Sequence, residues 1–403
     1  MDFEAIRQID IHPFHTSSTE EKYLLCYEGR NFESNKMLVE LIRVINRSST
    51  SKEVAESFSD MRGSEYTEED IEAIVTKYLH PVIGVRTGKQ KSGTFLFKKE
   101  LIPSSIVDLF SHVLKLLFRP IAIGLLLSVI FCFEIIFFSG THTRFLLGEV
   151  SIYTTIGILI LYICSSLFHE LGHASACKHF GIDHGGIGFG IYMNFPVFYT
   201  DVSNTWKLPR KQRIVVNFAG IYFQLIYLIP LFVIYFLTGD NIIKYFLFTI
   251  NLNFLITLNP FLKFDGYWVT SDLLGVPNLR ERTRELLTYA KKKLLHKPVD
   301  NKPFLLTMRP LEKIFMVAYS SVVNFFFLYY FLYLMPKFLG AFFTDVPGKA
   351  KVILESLSIG EMPSLADLIA VFSGTLFFCF TVFFLVRMGI KYYRKLFPAT
   401  KKN

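Results

Sequence analysis

The sequence predicts a polytopic α-helical membrane protein of about six transmembrane helices with a small α+β domain at its amino end. Three observations predict it. Of 403 residues, 51% are hydrophobic and 16% aromatic, with 43 Phe and only 19% charged, a balance too apolar for a water-soluble chain of this length. Six apolar runs between residues 121 and 386 are each long enough to cross a ~30 Å hydrocarbon core. The first hundred residues are polar instead, with 14 basic and 17 acidic side chains, so the net charge of +9 belongs to the remainder. The expected division is a domain over 1–100 and a membrane domain over 101–403.

In the first domain, alternation at Tyr23, Leu25 and Tyr27 before Gly29 predicts a short hairpin. Ser34 then caps a helix with Met37, Leu38, Leu41, Ile42 and Ile45 on one face. A second helix follows over Lys52–Phe58. Thr67 and Asp70 form a capping box for a third, which carries Ile71, Ile74, Val75 and Tyr78 and ends at Gly84. Gly88–Gly93 supplies the turn of a second strand pair ending in Phe95 and Phe97. This is a winged-helix plan. Duplex DNA needs a positive face that displaces counterions, and this domain is net negative, so no nucleic-acid partner is expected. In pattern and size it resembles the PqqD-like domains that hold leader peptides of ribosomally made peptides by β-augmentation, which implies a peptide partner. A plain cytosolic cap remains the alternative.

The spans are read at Ile121–Phe138, Tyr153–Lys178, Val215–Leu237, Ile243–Leu262, Phe315–Met335 and Leu365–Val386. Basic residues gather before the third span (Lys207, Arg210, Lys211, Arg213), before the fifth (Arg280, Arg282, Arg284, Lys291, Lys292, Lys293, Lys297) and in the tail (Lys391, Arg394, Lys395, Lys401, Lys402). The alternate loops are nearly free of them: Ser139–Val150 has Arg144 alone, and Pro336–Pro363 balances three lysines with three acids. The positive-inside rule then places both termini in the cytosol of a multi-pass cytoplasmic-membrane protein. The opening stretch MDFEAIRQIDIHPFHTSS is polar and mixed in charge, unlike a cleavable signal. Cys26, Cys132, Cys164, Cys177 and Cys379 are scattered and read as small hydrophobes, not as a disulfide framework.

The chemistry concentrates in Leu161–Gly181, LYICSSLFHELGHASACKHFG. His169 and His173 lie four apart, so on a helix both imidazoles project from one face about 6 Å apart and can grip one Zn²⁺. Glu170 lies beside the first ligand, outside the metal's shell yet close enough to take a proton from a water, as a general base does. Three ionisable side chains in an apolar span cost about 2.5 kcal/mol or more each, which calls for a compensating interaction such as a metal. The second span runs inward, as does the fourth, which ends in LNPFLKFDGY, so Asp265 reaches the depth of the two histidines on the cytosolic side.

HELGH at His169–His173 together with NPFLKFDG at Asn259–Gly266 resembles the site-2 protease family of intramembrane zinc metalloproteases, over roughly residues 152–274. The resemblance implies that Asp265 is the third zinc ligand and that Asn259 and Pro260 shape the broken helix end presenting it. Gly220 followed by Gln224 matches the family's central glycine and a polar residue usually supplied as Asn. Gln224 is then a helix-packing amide or a group that holds the substrate carbonyl or oxyanion, a role for which Asn259 and Gly190 are also candidates. Gly185–Phe198 alternates like a hairpin, where family members carry a membrane-dipping strand pair; its edge would bind an extended substrate, or the hairpin is merely structural. His179, His184, Cys177 and Asp201 are read as structural, and the basic Arg280–Lys297 stretch as a helix facing lipid headgroups.

The expected function is an intramembrane zinc endopeptidase with His169, His173 and Asp265 on Zn²⁺ and Glu170 as base. The whole arrangement resembles peptide zinc metalloproteases of peptide-biosynthesis clusters, which implies a ribosomally made precursor peptide as substrate, with a peptide-modifying enzyme and an ABC exporter as further partners alongside membrane lipid. Two rivals are cleavage of a membrane-anchored signalling protein of the anti-sigma-factor type, and a non-enzymatic peptide-export or immunity scaffold.

Overall fold

The computed structural model describes residues 2–84, 95–140, 152–192, 195–296, 298 and 303–396, and it divides into two units, 1–317 and 318–403. The first unit opens with α1 (Phe3–Arg7) and an antiparallel sheet in the order β1 (Asp10–Phe14), β2 (Lys22–Tyr27), β3 (Arg30–Asn35). Glu28 and Gly29, both at positive φ, close the β2–β3 hairpin with a turn whose twist matches the strands. The strand β1, with Pro13 on the outside of the sheet, was not legible in the alternation. Three helices cover the sheet: α2 (Lys36–Ile45), α3 (Ser51–Arg62) and α4 (Glu68–Ile74), the last running through a π-helical turn into α5 (His80–Ile83).

Caps explain these boundaries. Asn35, one residue beyond the expected Ser34, accepts from Leu38 N at 2.9 Å and starts α2. Thr50 caps α3, which ends on Gly63 at φ 65°. Thr67 and Asp70 exchange bonds at 3.0 and 3.2 Å and start α4. Between sheet and helices, Ile6, Leu25, Leu41, Ile42, Ile45, Val54, Phe58, Ile71 and Leu79 form one buried core. Tyr78, expected on the inner face, is exposed because the π-helical turn from Val75 shifts the register there.

The turn expected for the second hairpin of the winged-helix plan, Gly88–Gly93, lies outside the described residues. Phe95 and Phe97 belong to β4 (Phe95–Ile102), which pairs along β5. The boundary expected at residue 100 falls inside this strand. After it come α6 (Ser104–Leu114), α7 (Pro120–Gly140), α8 (Ile152–His179) and the hairpin β5 (Ile187–Tyr192) and β6 (Phe195–Thr200). The sheet order is β4–β5–β6, so β5 is the middle strand.

Then follow α9 (Arg210–Thr238), α10 (Asn241–Thr257), α11 (Asp265–Leu274), α12 (Leu279–Leu294) and α13 (Pro310–Tyr329), with α14 (Met335–Ser358) and α15 (Leu365–Leu396) in the second unit. In the first unit, α8 and α9 cross closely, with α7 and α10 packed beside them around Phe137, Leu228, Phe232, Phe246 and Ile250. In the second, α14 and α15 meet through Phe342 stacked on Phe378 at 4.1 Å.

Among the described residues five helical stretches are long and apolar enough to cross a membrane: Pro120–Gly140, Tyr153–His179, Arg210–Thr238, Pro310–Ser358 and Ala366–Arg387. The expected fourth span is shorter. At 17 residues α10 reaches only ~26 Å, because Pro260 disfavours helix at Asn259 and the chain turns there. The loop expected over Pro336–Pro363 is helical as far as Ser358, with Pro336 just after a π-helical turn at Tyr330–Leu334 that continues α13 into α14.

Candidate metal centre

The centre is built where α8, α9 and the start of α11 meet. On α8, His169 and His173 lie one turn apart with ring centroids 4.8 Å from each other and their Nε2 atoms 3.1 Å apart. Asp265, the first residue of α11, brings Oδ2 to 2.9 Å from His169 Nε2 and 3.5 Å from His173 Nε2. With metal–ligand bonds of 2.0–2.2 Å, a tetrahedral Zn²⁺ separates its ligand atoms by about 3.3 Å, which these three distances bracket.

The donors are also electronically ready. The carbonyl oxygen of Val216, which can only accept, takes a hydrogen bond from His173 Nδ1 at 2.8 Å. His169 Nδ1 donates to Gln224 Oε1 at 3.0 Å, and Gln224 Nε2 in turn donates to Ser165 Oγ at 3.2 Å. Both imidazoles therefore carry a proton on Nδ1 and turn Nε2, the atom left for a metal, toward Asp265. Asp265 Oδ2 is buried with no hydrogen-bond partner. Three lone-pair donors converging on one buried point are unfavourable unless a cation sits among them, so these residues fit a metal ion, and among the described residues they form one group able to hold it.

Two glycines permit the geometry. A Cβ on Gly220 would run into the His169 ring, and one on Gly172 would meet the Ala219 carbonyl and the Phe223 side chain. Each helix thus presents a glycine where the other comes nearest. Glu170, beside His169, is buried, and its main-chain carbonyl accepts from Thr200 Oγ1 at 3.2 Å, which ties α8 to the end of β6.

The remaining candidates lie elsewhere. Gln224 stands behind His169, with Oε1 accepting from His169 Nδ1 and Nε2 donating to Ser165 Oγ, so its amide fixes the orientation of that ring. Asn259 Oδ1 accepts from Phe261 N at 2.8 Å and shapes the turn into α11. Gly190 pairs with Lys98 on one side and Val197 on the other, so it offers no open edge; among the described residues β4 and β6 are the outer strands. Asp201 caps its own turn through Ser203 N and Oγ, His179 packs on Phe118, and Cys177 is core. His184 Nε2 lies 3.6 Å from Asp108, which also holds Lys178.

A protein of Bacillus subtilis (strain 168), named "Putative peptide zinc metalloprotease protein YydH", is 31% identical over 131 residues, or 32% of this chain and 50% of that protein. The chain thus spans about half the length of this curated relative. No family model matches the sequence, and no solved structure matches it.

Proposed function

We propose that this chain is a membrane zinc endopeptidase that cleaves a ribosomally made precursor peptide during its maturation or export, with both termini and the active site facing the cytosol. The observation that carries the reading is the convergence of His169 Nε2, His173 Nε2 and Asp265 Oδ2 beside a buried glutamate. The name of the Bacillus subtilis relative supports a protease role in general. A Zn²⁺ held there supplies a Lewis acid that polarises the peptide carbonyl and acidifies water.

The chain's own residues supply the rest. Val216 O and Gln224 Oε1 each accept from an Nδ1 and so hold both rings with Nε2 toward Asp265. Glu170, about 100° around α8 from His169, borders the ligand cluster without completing it, accepts the proton of the attacking water and returns it to the leaving amine. The apolar packing of α7, α8 and α9 around Val216, Ala219 and Phe223 lowers the local dielectric behind the histidines, which strengthens charge–dipole interactions there. Substrate delivery by the amino-terminal domain belongs to the same reading and rests on its net negative charge and strand edges.

The test is purification followed by metal analysis and incubation in liposomes with the precursor peptide encoded beside the gene. One zinc per chain and chelator-sensitive hydrolysis of a single peptide bond, read by mass spectrometry, are expected. Zinc-loaded protein that leaves every such precursor intact would remove the substrate class.

A further inference from the structure

The third ligand comes from a helix of only 10 residues, too short to hold its own register. Its opposite end is fixed by a buried cluster. Asp272 lies seven residues after Asp265, two turns along α11 on the same face, about 10.5 Å away along the axis. Its Oδ1 accepts from Arg213 Nε at 2.6 Å and its Oδ2 from Asn217 Nδ2 at 2.8 Å. Arg213 and Asp272 are 3% and 4% exposed, so neither charge is satisfied by solvent. Arg210 adds bonds to the Asp272 and Leu273 carbonyls at 3.0 and 2.7 Å.

All these partners sit on α9, on the face that serves the histidines. Arg213, Asn217, Gly220 and Gln224 recur at i, i+4, i+7 and i+11 and follow one helical stripe. Its upper part holds His169 and its lower part holds Asp272. One rigid helix therefore references all three ligands to a common frame. The loop after β1 joins the same cluster: Arg213 NH2 donates to His15 O at 3.2 Å, Ser17 N donates to Gly275 O at 2.8 Å, and the Arg213 guanidinium lies 5.5 Å from the Phe14 and Trp206 ring centroids.

We propose that Asp272, gripped by Arg213 and Asn217, is a positioning residue that sets Asp265 in register for the metal. The proposal rests on the metal-site reading above. Hydrogen bonds that orient ligands from behind typically govern 10- to 100-fold in metal affinity, and here that orientation acts through two turns of helix.

The full-length protein in detergent is measured as wild type, Asp272→Asn, the double variant Arg213→Met/Asp272→Leu, and His169→Ala. Three readouts are taken: zinc affinity by chelator competition, the visible spectrum of the Co²⁺-substituted protein, and the thermal midpoint of the metal-free form. Asp272→Asn should lose 10- to 100-fold in zinc affinity and weaken the four-coordinate Co²⁺ bands. The double variant replaces a buried ion pair by apolar volume, which often restores stability, so its metal-free midpoint should match wild type while zinc affinity stays low. A merely structural pair would move the midpoint and leave the Co²⁺ spectrum alone. Either variant, folded, binding zinc within twofold of wild type overturns the proposal whatever its midpoint; if Asp272→Asn does not fold, the double variant decides. Wild type and His169→Ala binding zinc equally would overturn the metal reading itself, a different result from loss in the Asp272 variants alone.

Discussion

Gln224 separates two roles that its sequence position left open. If its amide served a substrate oxyanion, Gln224→Leu would slow cleavage and leave zinc in place. Because Oε1 holds His169 Nδ1, the expected outcome is instead a 10- to 100-fold fall in zinc affinity, measured by competition with a chromogenic chelator. Glu170→Gln is the converse case. The amide nearly preserves volume and keeps zinc but cannot accept a proton, so turnover should fall by roughly 10² to 10⁴ with metal content unchanged. Wild-type cleavage by a folded, zinc-loaded Glu170→Gln protein would exclude the hydrolytic mechanism. The spacing of His169 and His173 and the turn-forming run before Asp265 made these three residues legible before any coordinates. Asp272 was not legible, because an acidic residue inside a short polar stretch carries no periodic or spacing signal; only the stripe on α9, read with a partner already in mind, points to it.

At the scale of elements, apolar run length located the long helices, while strand partners escaped. Pairing of β4 with β5 joins residues nearly a hundred positions apart, and a two-residue alternation is the same whether its partner is near or far. The end of α10 was misplaced because hydropathy continues past Thr257 while the backbone stops at the Asn259–Pro260 turn. Caps, by contrast, are local and testable. Asp70 is held below the usual carboxylate range, first by the Thr67 N–H and then by its hydroxyl. A lowered folded-state pKa stabilises above the unfolded value, near 4, and that contribution is lost as pH falls through the folded pKa. Thr67→Ala should therefore speed hydrogen exchange of α4 amides at pH 7, and the difference from wild type should shrink on acidification below about pH 4. An undiminished difference at pH 3 would show that the box acts through the threonine alone.

For the molecule as a whole, charge separates rival partners: residues 1–100 are net negative, so the amino-terminal domain of the intact protein should bind precursor peptide and leave duplex DNA alone. Salt-sensitive micromolar DNA binding that disappears on changing its lysines would reverse this. Metal removal should also lower the thermal midpoint, since a ligand that binds only the folded form at 100 times its dissociation constant adds about 2.7 kcal/mol. An unchanged midpoint with excess chelator would mean that the helices assemble without the ion. The proposed ligands are drawn from two places in the chain, His169 and His173 on α8 and Asp265 after α9 and α10 have passed. During synthesis at roughly 5–20 residues per second, the ribosome needs about 5–20 s to travel from the first histidine to the aspartate. Over that interval the nascent chain offers two of the three proposed ligands, and α9, made part-way through it, adds the groups that orient them. If these residues hold zinc, loading would wait until Asp265 has been made, and a chain arrested before it is expected to retain no ion.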